Sequence, residues 1–113
     1  MSTSEIATVL AWHDALNAKD LATLVDLSSD DIEVAHADGA LQGLEALQEW
    51  AQTYAGDATV GRLYVRDGHV VAEQSNGATA FRVVHDQVTS VFRHPDLASA
   101  LQATDLTEDD LDA

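Results

Sequence analysis

The chain has 113 residues, of which 46% are hydrophobic and 22% are charged. This length and composition suit one globular domain with its own core and argue against wholesale disorder. Five basic residues against twenty acidic ones give a formal net charge of −15, which argues against nucleic acid or an anionic membrane surface as a partner. Cysteine is absent, which excludes disulfides and thiolate metal sites. The first residues lack the pattern of a signal peptide, and we expect a cytoplasmic protein.

The start of the chain has helical periodicity. The segment from Ser2 to Glu5 has the spacing of a capping box, and apolar residues then recur every three or four positions to about Asn17. Asp20 can cap a short second helix, which the polar run at residues 28–31 ends. The sequence therefore predicts a helical hairpin at the start of the domain.

A strand and a third helix follow the hairpin. Apolar and polar residues alternate over 32–36, which predicts a strand with one buried face, and Asp38-Gly39 breaks this pattern. After Gly43 the apolar residues return to helical spacing over 44–54, before Gly56-Asp57. This helix is expected to present one apolar face to the sheet.

Four β-type segments, over residues 60–66, 69–75, 78–84 and 87–94, make up most of the second half. Asp67-Gly68 and Asn76-Gly77 are strong hairpin signals, and His85-Asp86 separates the last pair. Pro95 stops the last strand, and a brief helix over about 97–103 is expected after it. Because helices precede an antiparallel meander, the order predicts an α+β fold rather than alternating α/β.

The domain is expected to span residues 1–104, and the last nine residues differ from it in composition. They contain Asp105, Glu108, Asp109, Asp110 and Asp112 and no basic residue. Such a run is typical of a solvated acidic segment. We predict that residues 105–113 form a flexible tail with a solubilising role.

Two segments carry a family resemblance. The first reads WHDALNAKDL from Trp12 to Leu21 and continues through residues 27–34, and the second reads FRHPDL from Phe92 to Leu97. Both resemble the ketosteroid isomerase and polyketide-cyclase-like (SnoaL-like) proteins of the nuclear transport factor 2-like superfamily. The resemblance implies a cone-shaped, curved antiparallel sheet wrapped by three helices around an apolar pocket. It also implies a homodimer through the outer sheet face.

His36 is the candidate general base. In the isomerases that this chain resembles, an Asp on the first strand removes a proton alpha to a carbonyl, and the alignment puts His36 at that position. Trp12 falls at the position of a helical Tyr, and Thr79 or Ala80 falls near the position of a second acid, so all three positions depart from the isomerase pattern. An imidazole exchanges protons near neutral pH, and Asp38 could orient it. The alternative is a structural histidine near a strand end.

The predicted ligand pocket is mainly apolar and aromatic. Trp12 is expected to form a pocket wall and could donate its indole N–H to a ligand oxygen. His94 shares a strand face with Phe92, which favours the pocket rim. Arg82 is expected to point outward if Phe81 and Val83 point inward. The remaining predicted lining residues are Val34, Trp50, Tyr54, Phe81 and Phe92.

No cofactor or metal motif is present in the sequence. The histidines lack the paired spacing of a metal site, and the chain has no Walker loop, dinucleotide-binding glycine motif or nucleophile elbow. Three hypotheses stay open. The chain could be a binding protein for a small apolar or aromatic ligand, a cofactor-free isomerase, cyclase or dehydratase that uses His36 as its base, or a non-catalytic dimerisation module.

Overall fold

The computed structural model describes residues 2–36, 39–53, 60–74 and 77–111. Its elements, in chain order, are α1 (Ser2–Ala18), α2 (Leu21–Asp26), β1 (Ser28–His36), β2 (Gly39–Gln42), α3 (Leu44–Thr53), β3 (Val60–Arg66), β4 (His69–Gln74), β5 (Gly77–Val84), β6 (Gln87–His94) and α4 (Leu97–Thr104), followed by a 3-10 turn (Glu108–Asp110). The α+β class predicted from the element order is confirmed. None of the helices in these ranges has the length and apolar character needed to cross a membrane.

The six strands form one curved, unclosed sheet in the order β2-β1-β6-β5-β4-β3. The last four strands make the predicted antiparallel meander. One pair differs from the antiparallel expectation, since β1 runs parallel to β6, with Val34 beside Val91. This parallel pair joins the first half of the chain to the meander.

Two features of the first half were not predicted. β1 begins at Ser28 rather than at residue 32, because the hydroxyl of Ser28 is satisfied inside the protein, where it donates to the Leu24 carbonyl at 2.7 Å. β2 was missed altogether. It is a four-residue edge strand in which only Leu41 is half-buried, so it has no period-two apolar pattern.

Helices α1, α2 and α3 cover one face of the sheet, which we call the inner face. Trp12 on α1 and Phe81 on β5 are each 1% exposed, and their rings meet edge to face at 5.7 Å between centroids. Residues at helical spacing on α1, beginning with Ile6, Val9 and Leu16, complete this contact surface. The main core therefore lies between the three helices and the sheet, as predicted.

The opposite, outer face is partly covered by α4, which packs Ala100 against Ala78, Ala80 and Tyr64. This is a second, smaller core that the sequence did not predict. Next to it the outer face is open. Phe92 is 40% exposed there.

Residues 105–111 lie against the outer side of β3. Leu106 is buried, the Tyr64 hydroxyl donates to Glu108 at 3.3 Å, and Leu111 forms a β-bridge with Tyr64. Arg66 lies 3.8 Å from a carboxylate oxygen of Asp110. These contacts locate the segment on an edge strand, and the predicted flexibility of residues 105–113 stays a prediction.

Candidate functional site

One end of the sheet carries a group of polar and titratable side chains on which a functional site can be built. Gln74 ends β4 and pairs with Val60, at the start of β3, and with Gly77, at the start of β5. Because β1 and β6 run parallel, both also end here. We call this the Gln74 end of the sheet.

A polar cluster lies on the inner face at the Gln74 end. It consists of His13, Asn17, Gln74, Thr79 and Arg93. The Gln74 carbonyl oxygen accepts from the Thr79 hydroxyl and from Arg93 Nη1, each at 2.7 Å. Gln74 Nε2 lies 3.1 Å from His13 Nε2, and Asn17 Nδ2 lies 3.2 Å from His13 Nδ1. The cluster therefore links α1 to β4, β5 and β6 by side-chain hydrogen bonds.

His13 is 5% exposed, and this burial is the main cause that lowers its pKa. The carboxylate of Asp14 acts in the opposite direction, and the positive charge of Arg93 lowers the pKa of His13 further. The imidazole is therefore held in its neutral form near pH 7. Within the described ranges, no three His, Asp or Glu side chains come together as a metal site would require.

Trp12 lies deeper in the core than the polar cluster. Its indole N–H donates to the Ser28 hydroxyl at 2.9 Å, at the opposite end of β1. The predicted donation to a ligand oxygen is therefore replaced by an internal hydrogen bond. Trp12 forms part of the apolar wall together with Phe81.

The structure divides the other predicted lining residues between the two sheet faces. Val34 is buried on the inner face, and Trp50 on α3 packs half-buried against the same core. Phe92 and His94 lie on the outer face instead, because Val91 points into the main core and strand alternation turns its neighbour outward. This corrects the predicted pocket lining. Arg82 is exposed, as expected from the inward positions of Phe81 and Val83.

The predicted base ends β1, where the His36 backbone pairs with Gly39 of β2. Ala35 is opposite Phe92 in the parallel pair, so the next position on β1 is in the row of Arg93. Asp38 and Tyr54 lie outside the described residues. The roles assigned to His36, Asp38 and Tyr54 stay predictions.

Sequence reasoning missed Gln74, Thr79 and Arg93 as a group. Alternation from Val91 to Arg93 carries a signal, because the two residues share a strand face and Val91 is buried. That signal is ambiguous without the register, since Phe92 is also apolar. Contact with His13 on α1 depends on the packing of a helix more than sixty positions away, which no local pattern encodes.

Comparison with known proteins gives one family and many similar folds. The family model described as SnoaL-like domain matches residues 9–106. An NTF2-like protein of unknown function from Cytophaga hutchinsonii has a TM-score of 0.75 and 14% identity, over 81% of this chain and 89% of that one. An LEH-like epoxide hydrolase from M. tuberculosis has a TM-score of 0.72 and 16% identity, over 88% of each chain.

A third solved structure, of a Kribbella flavida protein proposed to be a ketosteroid isomerase, has a TM-score of 0.71 and 19% identity over 80% of this chain and 76% of that one. No sequence among the curated proteins matches significantly. At these identities the solved structures support the fold alone.

Proposed function

Because the chain belongs to the SnoaL-like domain family, we propose that it binds a small apolar or aromatic molecule that carries an oxygen acceptor. The ring would lie against the apolar inner face, and the oxygen would meet the polar cluster. Members of the family bind small molecules or act as isomerases or cyclases. For this chain, the ligand class named above is what we propose.

The observation that best supports this proposal is the position of Arg93. Its guanidinium is held by the Gln74 carbonyl at one end of a face that is otherwise lined by core residues such as Phe81 and Val34. Ligand sites in proteins typically combine an apolar wall with a few fixed polar groups that orient the ligand. A guanidinium is a strong donor to carbonyl and anionic oxygens.

A second candidate function is a cofactor-free isomerase, cyclase or dehydratase in which His36 is the general base and Asp38 orients it. One observation favours it. The register of β1 on β6 brings position 36 into the row of Arg93, a cation that can stabilise negative charge developing on an enolate oxygen. Binding and proton abstraction would then share one site.

We expect 2-acetylnaphthalene, a neutral aromatic ketone, to bind saturably and to shift the amide NMR resonances of inner-face residues such as Ala72, Thr79 and Arg93. Arg93→Gln should weaken this binding about tenfold, because a charge-assisted hydrogen bond to the ketone is lost. Arg82→Gln is the matched control, since Arg82 is exposed on the outer face of the same sheet. The affinity of the Arg82→Gln variant for 2-acetylnaphthalene should stay at the wild-type value.

The same titration separates the two candidate functions. If His36 is the base, His36→Ala should keep the affinity for the ketone and lose exchange of its methyl protons with solvent deuterium, which the wild-type protein would catalyse. Shifts centred on Phe92, or no saturable shift at all, would contradict the proposed binding site. If the wild-type protein does not catalyse this proton exchange, His36 does not act as a general base toward this ketone.

We also propose a homodimer through the open part of the outer face. Two shallow grooves, of about 240 and 380 Å³, share Phe92 in their lining there. Their lining includes the apolar Ala35, the basic Arg82 and the acidic Glu33. A face that carries both charges and an exposed aromatic ring can match a second copy of itself across a two-fold axis.

Phe92→Glu is expected to halve the molecular mass measured by light scattering after size exclusion, because it places a charge at the centre of the interface. Leu10→Glu is the control. Leu10 is another exposed large apolar residue, 37% exposed on α1 and away from the outer face. A monomeric wild-type protein at high concentration would rule out the dimer and, with it, a pure dimerisation role.

A further inference from the structure

Hydrogen bonds within the polar cluster fix the orientation of the Gln74 amide. An arginine can only donate hydrogen bonds, so the atom of Gln74 that lies 2.7 Å from Arg93 Nη1 must be its side-chain carbonyl oxygen. The same oxygen accepts from the Thr79 hydroxyl at 2.7 Å. The amide nitrogen of Gln74 is therefore the atom that faces His13. Because Gln74 and Thr79 are both buried, water has little access with which to replace these bonds.

This orientation decides which nitrogen of the neutral His13 ring carries the proton. Gln74 Nε2 can only donate, so His13 Nε2 must accept at 3.1 Å, and the single proton of the ring is on Nδ1. Asn17 lies against Nδ1. A half-turn of the Asn17 amide, which fills the same volume, brings its carbonyl oxygen to that proton. The neutral ring is then hydrogen-bonded at both nitrogens.

A second proton on His13 does not fit this arrangement. It would direct an N–H of the buried ring at an N–H of Gln74. To accept that proton, Gln74 would have to turn its carbonyl oxygen toward His13 and give up the bonds from Thr79 and Arg93. The other possible response is that the second half of α1 moves away from β4. Either response breaks up the polar cluster.

The charged groups around the ring do not offset this effect. Asp14, on the same helix, favours the charged ring, whereas Arg93 on β6 disfavours it. The neighbours from β4 and β5 are Gln74 and Thr79, which do not titrate. Among the described residues, α2 and β3, which also pack against α1, contribute no charged group that shifts the pKa of this ring. Burial is the largest influence and lowers the pKa of His13 below its ordinary value of 6.5.

We propose that His13 is a pH switch of the ligand site, which is competent only while this ring is neutral. The inference rests on the proposed binding function and names its regulation. Proton uptake would break the hydrogen bonds that join α1 to the sheet, at the end of the inner face where the ligand oxygen is proposed to lie. A mildly acidic solution should therefore release the ligand before the carboxylates of the protein begin to titrate.

The first test is an NMR pH titration of the histidine rings in the wild-type protein. ¹⁵N shifts distinguish the two neutral tautomers, and the neutral His13 ring should be protonated on Nδ1. The second proton should arrive below the ordinary pKa of about 6.5, while the protein is still folded. An Nε2–H neutral form, or a pKa of His13 at or above that value, would overturn the switch. So would a ring that stays neutral until the whole chain unfolds.

The second test follows the affinity for 2-acetylnaphthalene over the same pH range. This ketone does not titrate there, so any change in affinity comes from the protein. At the midpoint of the His13 titration only half of the molecules are competent, and the affinity should be about half of its value at neutral pH. It should then fall by up to about tenfold for each further pH unit. An affinity that does not change across the midpoint would overturn the switch and leave the proposed function standing.

His13→Gln removes the titrating group and keeps a neutral acceptor within reach of Gln74. The variant should bind the ketone at neutral pH, and the dependence of its affinity on pH should disappear. His85→Gln is the matched control, because it makes the same substitution at an exposed histidine in the turn between β5 and β6. Its affinity should depend on pH as in the wild-type protein. A dependence that survives in His13→Gln would overturn the role of His13.

Urea denaturation adds a readout that does not need the ligand. The pKa of His13 is lower in the folded protein than in the unfolded chain, so the unfolded chain takes up more protons below about pH 6.5. As the pH falls below this value, the wild-type denaturation midpoint should decrease relative to that of His13→Gln. Equal pH dependence of the two midpoints would overturn the switch. If the ketone binds at no pH while these midpoints diverge as expected, the proposed function is wrong and the pH dependence of the polar cluster stands without it. If His13→Gln does not fold, the wild-type ring titration and the affinity at its midpoint still decide the proposal.

Discussion

Trp12→Ala is expected to lower the free energy of unfolding by about 3–5 kcal/mol, the usual cost of removing a large buried aromatic side chain. The side chain is 1% exposed and meets Phe81 edge to face, so its removal leaves a cavity in the main core. It also takes the indole N–H away from the buried Ser28 hydroxyl. Urea denaturation followed by far-ultraviolet circular dichroism measures the loss.

Leu10→Ala is the control for this prediction. It truncates another apolar residue of α1, but Leu10 is 37% exposed. The substitution should therefore change the free energy of unfolding by no more than about 1 kcal/mol. A small effect of Trp12→Ala, or an equal effect of the two substitutions, would contradict the packing of α1 on the inner face. The comparison is internal to one helix, so differences in helix propensity contribute little.

The β-meander could be predicted because its information is local. Val60–Arg66 and Gln87–His94 have the predicted bounds, and the turns between strands carry residues that tolerate a positive φ. At Asp67 and Gly68, φ is 51° and 85°. Turn chemistry of this kind fixes where strands end without reference to the rest of the fold.

Which way the strand residues face could not be predicted equally well. On β5, Phe81 is buried by α1 on one side and Ala80 is buried by the α4 side on the other. When both faces of a strand are covered, alternation no longer distinguishes them. Phe92 is predicted to line the pocket, whereas its partner in the sheet, Ala80, belongs to the outer face.

The polar cluster could be predicted least of all. His13, Gln74 and Arg93 come from a helix and two strands, and only the packing of α1 across the inner face brings them together. The sequence shows a lone histidine, a glutamine before a turn and an arginine near a strand end. Each is ordinary alone, and their chemistry arises from the shared hydrogen bonds.

Gly77→Ala is expected to lower the free energy of unfolding by about 2–4 kcal/mol, from backbone strain and a steric clash together. Gly77 has a φ of 141°, which residues with a Cβ rarely adopt. A Cβ at this position would lie 2.6 Å from the His94 carbonyl oxygen and 3.3 Å from Arg93 Nη2. The start of β5 or the end of β6 would have to move, and Arg93 with it, so binding of 2-acetylnaphthalene should weaken as well.

Gly61→Ala provides the matched comparison, because both substitutions reduce the freedom of the unfolded chain equally. Gly61 lies on β3 outside the positive-φ region, and its new Cβ would meet Glu73 at an ordinary 3.4 Å. The free energy of unfolding of Gly61→Ala should lie between the wild-type value and about 1 kcal/mol above it. Urea denaturation of the two variants therefore isolates the native-state cost at Gly77. Equal stabilities would show that β5 and β6 do not approach each other this closely, and the position of Arg93 over the inner face would lose its support.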